Sequence, residues 1–241
     1  MVKWTPLICL LAHIFVGCGL QRPSLFAREN ATAPPSARAC RSDTDADKDL
    51  KLDLIRKLMD EGKLYAALAH LDAVRSKTPQ AIYLRAEILR RTDRADQAIP
   101  WYRLLLDGCM AGWGRHGLGL IAGRADRIGE ALDHLQRAKQ SLPTVARVRN
   151  DLGYALLRAG RYASARNEFL TALELDGGNS LAAANLTMLL ALMGHNREMR
   201  AFAARMHMDG AILNRLRAQA EALKAAGPPR PPSKPNPTEI H

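Results

Sequence analysis

Leu152-Gly-Tyr-Ala-Leu-Leu-Arg-Ala-Gly160-Arg-Tyr-Ala-Ser-Ala-Arg-Asn-Glu-Phe169-Leu-Thr-Ala-Leu-Glu-Leu175 is the stretch that decides the fold. Two helical periods meet at Gly160, and small residues recur where two helices have to touch. Gly153 sits in the first helix, while Ala165 and Ala172 flank the bulky Phe169 in the second. The same frame returns upstream. The small residue of the second helix falls at Ala98, Ala131 and Ala165, at spacings of 33 and 34. The large residue four positions on is Tyr102, Leu135 and Phe169, and the small residue of the first helix is Ala86, Gly119 and Gly153. Pro143 closes one unit, and Gly177 takes that place in the next. The physical cause is packing. Gly or Ala removes bulk where helices come into contact, and the large residue fills the gap beside it.

This unit resembles the tetratricopeptide repeat, a helix-turn-helix of about 34 residues. The resemblance implies an all-α chain, a right-handed superhelix (α-solenoid) of about five helix pairs. The units run over residues 48–78, 79–111, 112–145, 146–179 and 180–213. The first rests on Leu54, Leu58, Gly62, Ala67, Leu71 and Pro79. The last rests on Leu186, Leu190 and Gly194, with Met199 in place of the small residue. An amphipathic helix from Ala211 to Ala226 is expected to cover the apolar end, as terminal caps do in solenoids. Composition agrees with this: only 5% of the chain is aromatic, and the abundant Ala, Leu and Arg head the helix-propensity ranking.

The N-terminus points to export. After Lys3 an apolar stretch runs from Pro6 to Val16, broken only by His13. It is shorter than the roughly 20 residues a membrane-spanning helix needs. Its length suits the apolar core of a signal peptide over residues 1–17. The stretch ends in Phe15-Val16-Gly17-Cys18, which resembles the bacterial lipobox and implies that Cys18 is lipidated. Phe15 stands where that motif usually has leucine. An ordinary signal peptide is the alternative, but its small-x-small site, Ala31-Thr32-Ala33, lies far beyond the apolar run. Several acyl chains on Cys18 would hold the protein far more firmly than one. Gly19, where inner-membrane lipoproteins usually carry Asp, implies the outer membrane, facing the periplasm. Residues 18–47, with Pro23, Pro34 and Pro35, read as a flexible tether, and residues 227–241 as a Pro-rich disordered tail.

The formal net charge of +11 suits acidic protein surfaces, anionic lipid or nucleic acid. No zinc-finger spacing, RNA-recognition signature or aromatic-interleaved basic run accompanies it, so no nucleic acid is expected as a partner. Gly112-Trp-Gly-Arg-His-Gly117 matches a dinucleotide fingerprint only formally, since no strand precedes it. The histidines form no HxxxH pair and no cluster with ligand spacing, so neither metal nor cofactor is expected. No Ser/His/Asp or Cys/His arrangement suggests catalysis or a small-molecule substrate. The chain reads as a binding protein, not an enzyme. Cys40 and Cys109 remain after export, and in an oxidising compartment they either bridge or stay as two free thiols.

In the resembled family, the first helix of each unit lines a concave groove for a partner's segment. Carried onto this frame, the groove residues are Tyr83, Glu87, Arg90 and Arg91 in the second unit. The third unit gives Trp113, His116, Leu120 and Arg124. The fourth gives Arg147, Asn150, Tyr154 and Arg158, and the fifth gives Met188. Arg with Tyr and Trp suits aromatic anchors and bidentate carboxylate contacts. The Lys/Asn set with which some members clamp a terminal carboxylate is absent.

A lipobox, a short tether and about five repeats together resemble the TadD lipoproteins of Flp (tight adherence) pilus systems. Asn150 to Tyr162 and Ala183 to Leu192 look like that family's central repeats. The resemblance implies a pilotin-like assembly factor whose partner is the outer-membrane secretin or another pilus component. Rival clients are another type IV pilus system, the outer-membrane protein insertion machinery or a cell-wall hydrolase.

Overall fold

The computed structural model describes residue 40 and residues 46–227. Cys18, the expected signal peptide over residues 1–17, nearly all of the expected tether and residues 228–241 lie outside the described residues. Among the described residues there are eleven helices and no strand. Ten of them form five pairs: α1 (Ala46–Asp60) with α2 (Leu64–Val74), α3 (Pro79–Arg91) with α4 (Ala95–Arg103), and α5 (Ala111–Arg124) with α6 (Ile128–Ser141). The last two pairs are α7 (Ala146–Arg158) with α8 (Tyr162–Leu175) and α9 (Ser180–Leu192) with α10 (Asn196–Arg205). The eleventh helix, α11 (Gly210–Ala226), packs against α9, the first helix of the last pair.

The chain leaves every first helix in the same way. One amide reaches back five residues: Lys63 to the carbonyl of Leu58 at 2.8 Å, and Arg94 to Leu89, Arg127 to Ala122, Arg161 to Leu156 and His195 to Leu190 at 2.9 Å each. Each bond satisfies a carbonyl that the helix end would otherwise strand. It also requires a left-handed residue just before the donor. Gly62, Gly160 and Gly194 supply it in three units, at φ 76°, 72° and 76°. Asp93 and Asp126 supply it in the other two, at 60° and 59°. Aspartate is one of the few side chains that visit this region.

The small and large residues of the repeat frame meet as their spacing requires. A Cβ added at Gly119 would lie 2.7 Å from the Leu135 side chain, and one at Gly153 would lie 2.7 Å from the Phe169 ring. Ala98, Ala131, Ala165, Tyr102, Leu135 and Phe169 are all buried. Met199, where a small residue stands in the other units, is also wholly buried. First helices of neighbouring units touch one another, so α1, α3, α5, α7 and α9 stand side by side. The family framework is therefore an α-solenoid of stacked helix pairs.

Two details differ from the sequence frame. Leu54 is 46% exposed, and α1 instead buries Leu52, Ile55 and Met59 against α2 and α3. A residue two positions from Leu52 lies on roughly the opposite side of the helix, where a preceding unit would stand. The last unit also ends sooner than residue 213. The Asp209 side chain caps α11 by accepting from the Ile212 amide at 2.7 Å, so residues 211–213 belong to the terminal helix.

The second unit is the irregular one. Pro100 lies inside α4, which stops after Arg103, and the chain turns several times before α5 begins. Cys109 lies in this stretch and is joined by a disulfide to Cys40, with Cα atoms 5.3 Å apart. The bridge spans 69 positions and encloses the first two helix pairs.

Candidate functional site

Because the first helices stand side by side, their outward side chains form one continuous groove. At one end Arg147 of α7 lies 5.2 Å over the Trp113 ring of α5 and donates to the Tyr83 hydroxyl of α3 at 3.3 Å. Tyr83 and Trp113 themselves meet at 5.5 Å. Three consecutive units thus contribute one side chain each to a cationic, aromatic cluster. Burial, and then the charge of Glu87, push the Tyr83 hydroxyl up to about 12, so it stays protonated at neutral pH.

Beneath this cluster lies a buried polar knot. Glu87 accepts from the Tyr102 hydroxyl and, at 2.8 Å, from Arg90, which also donates to Tyr102 at 3.2 Å. Burial alone would raise the Glu87 carboxyl, but the hydrogen bonds and charge of Arg90, with the Tyr102 hydroxyl, bring it below the ordinary glutamate range. Arg90 is therefore committed to Glu87 and Tyr102 and is not free for a partner. This corrects its placement among the groove contacts.

A second knot ties three units together. His116 Nε2 lies 2.7 Å from Asp151, Asn150 donates to Asp151 at 3.1 Å, and Asn185 donates to Asn150 at 2.9 Å. His116 is 1% exposed and Asn150 is 2% exposed. His116 thus lies under the groove surface. Its predicted role as a partner contact is replaced by a role in fixing the register between units. Met188 is also buried, on the packed side of α9. The three arginines at the ends of first helices share a role that only the fold reveals: each reaches back to the turn of the preceding unit. Arg91 donates to the Met59 carbonyl at 2.9 Å, Arg124 pairs with Asp93 at 2.8 Å, and Arg158 pairs with Asp126 at 2.7 Å.

The groove deepens between α5, α7 and α9 into a hollow of about 430 Å³. Leu120, Tyr154 and Leu181 wall it, and Ile128 and Leu135 of α6 form its floor. Gly119 and Gly123 of α5 line it too, on the side where α5 meets α6. Asn150, Asp151 and Asn185 line its polar part, and Arg124 and Arg158 its cationic part. Sequence reasoning missed Leu181, Asn185 and Asp151. Gly112 to Gly117, the formal nucleotide fingerprint, lies within α5 and makes no loop. Its last glycine is there for packing: a Cβ at Gly117 would lie 2.2 Å from the Tyr102 ring.

Stacked helix pairs that present one shared polar and aromatic groove define a protein-interaction solenoid. The chain belongs to the tetratricopeptide repeat family, whose model matches residues 52–112 and 116–180. It is 36% identical over 192 residues to the TPR repeat-containing protein PA4299 of Pseudomonas aeruginosa, spanning 80% of this chain and 78% of that one. The fold is shared with the solved structure of Pseudomonas aeruginosa pilF, at TM-score 0.60 and 20% identity over 76% of this chain and 89% of that one. It is shared too with TTC0263, a thermophilic TPR protein of Thermus thermophilus, at TM-score 0.55 and 20% identity over 74% of this chain and 99% of that one. The matched family is a protein-interaction repeat.

Proposed function

We propose that this chain is a lipid-anchored scaffold on the periplasmic face of the outer membrane that binds a segment of a Flp-pilus secretin in its first-helix groove. In this role it acts as a pilotin, helping the secretin to localise and multimerise. The observation that carries the proposal is the groove itself: a hollow of about 430 Å³ lined by Arg124 and Arg158, with the exposed Arg147, seated on Trp113, one turn of α7 before the lining residue Asp151. Two sequence features support the setting: the lipobox-like Phe15 to Cys18, and the likeness of Asn150 to Tyr162 to TadD repeats. An acyl anchor at Cys18 would confine the groove to the surface where the client assembles, which raises the effective concentration without any new contact.

The test is recovery of partners from gently solubilised membranes with an affinity-tagged chain, compared with its Cys18→Ser variant. Secretin should copurify with the native chain. The variant should leave the membrane fraction, and secretin multimers should fall. Recovery of a cell-wall hydrolase or of the protein-insertion machinery without secretin would replace the client.

A further inference from the structure

We propose that the hollow between α5, α7 and α9 takes one large apolar side chain of an acidic client segment, whose flanking carboxylates meet Arg147, Arg124 and Arg158. This rests on the groove being a protein-binding site, but not on the client being a secretin. A volume of about 430 Å³ is far beyond the ~30 Å³ share of one water. It is near the lower end of small-ligand clefts, which span roughly 300–1,000 Å³. A space of that size holds a large aromatic side chain together with the stretch of backbone that carries it. Two of the walls stand uncovered: Leu181 is 56% exposed and Tyr154 38% exposed. An apolar guest would take both out of water, which is the main source of binding energy available here.

The polar groups show what the guest is not. Asn150 and Asn185 bond to each other, and Asp151 is held by His116 and Asn150. These amides and this carboxylate already have partners, so they offer little to a polar guest. The cations are different. Among the described residues Arg147 pairs with no carboxylate, and its guanidinium is fixed in place by Trp113 and the Tyr83 hydroxyl. Arg124 and Asp93 are each 73% exposed, and Asp126, the partner of Arg158, is also open to solvent. Ion pairs of this kind contribute little, so a client carboxylate can replace the aspartate. Charge complementarity therefore selects an acidic segment around the apolar anchor.

The experiment uses three labelled synthetic peptides and the full chain in detergent, read by fluorescence anisotropy. The first peptide is acetyl-Gly-Glu-Asp-Phe-Asp-Glu-Gly-amide. The second has Ala for Phe, and the third has Lys for every acid. The first should bind, the second should bind about tenfold more weakly, and the third should not bind. Leu181→Glu and Arg147→Glu should each weaken the first peptide by about tenfold or more, because both side chains are exposed and the fold does not depend on them. Leu170→Glu, the same substitution as at Leu181 but at an exposed position of α8, should leave it unchanged. Circular dichroism checks that all three variants stay helical, and Arg147→Gln separates lost attraction from added repulsion. Equal affinity for the Phe and Ala peptides, equal losses with Leu170→Glu, or no binding of any peptide overturns the proposal. So does self-association of the chain that Leu181→Glu abolishes and the peptides do not displace, since the occupant is then a second copy. Peptide binding without secretin recovery would instead leave this site standing and remove only its client.

Discussion

The first two helix pairs and the last three keep the same repeat frame but are stabilised in different ways. From α6 onward the buried side chains form one continuous cluster that runs through Phe169, Leu189 and Met199 to Leu216 on α11. Before that the core is broken in two, one part under α1 and α2 and the other around Tyr102. The far end of the solenoid is closed by a helix. At the other end Leu50 and Leu54 of α1 are exposed, and the Cys40–Cys109 bridge ties residue 40 to the turn between α4 and α5. One frame is thus held by continuous apolar packing in its last units and by a cross-link around a divided core in its first two.

The largest expected effect lies in the continuous core. Phe169→Ala opens a cavity against Gly153 and should cost about 3–5 kcal/mol in urea unfolding followed by circular dichroism. A loss below about 1 kcal/mol would mean that the helices collapse to fill it. Next comes the bridge. Cys40→Ser releases a constraint over 69 positions, worth up to about 4.4 kcal/mol on the loop-entropy scale. The loss should be regional: amide exchange in α1 to α4 should quicken, while α7 to α10 stay protected. Equal quickening throughout would erase the distinction between the two regions.

The buried carboxylate of the second unit gives a smaller, pH-dependent effect. The Glu87 carboxyl is held below its ordinary value in the folded state, so its contribution is present above the unfolded value. That contribution is lost as pH falls through the folded value. Glu87→Gln should therefore cost about 1–3 kcal/mol at neutral pH and flatten the loss of stability on acidification. An unchanged acid limb would mean that other carboxylates set it. The smallest effect belongs to the shared turn. Gly160→Ala should cost about 1 kcal/mol, and Gly160→Asp less, since Asp93 and Asp126 already hold this left-handed position in neighbouring units. Equal costs would remove that explanation.

The repeats were legible because each pairs a small residue with a large one at fixed offsets, as Gly119 with Leu135 and Gly153 with Phe169. That pattern depends on local spacing, which sequence carries directly. The groove was legible only in part. Tyr83, Trp113 and Arg147 meet one another and Tyr154 lines the hollow, but first helices pack on both sides, so helical position alone cannot separate an exposed polar residue from a buried one. His116 and Arg90 were misplaced for that reason. The roles of Arg91, Arg124 and Arg158 depend on the turn of the preceding unit, about 32 positions away. The hollow was not legible because its lining comes from four helices, with Leu120, Tyr154 and Leu181 brought together only by the stacking of units.

A client seated in the groove of the last three units is detected most directly by site-specific photo-crosslinking in cells. A benzoylphenylalanine in place of Leu181 faces the hollow, while one in place of Leu170 on α8 is an exposed control outside it. The expected result is a single crosslinked product with secretin at Leu181 and none at Leu170. Crosslinks of equal yield at both positions, or at Leu170 alone, would contradict it.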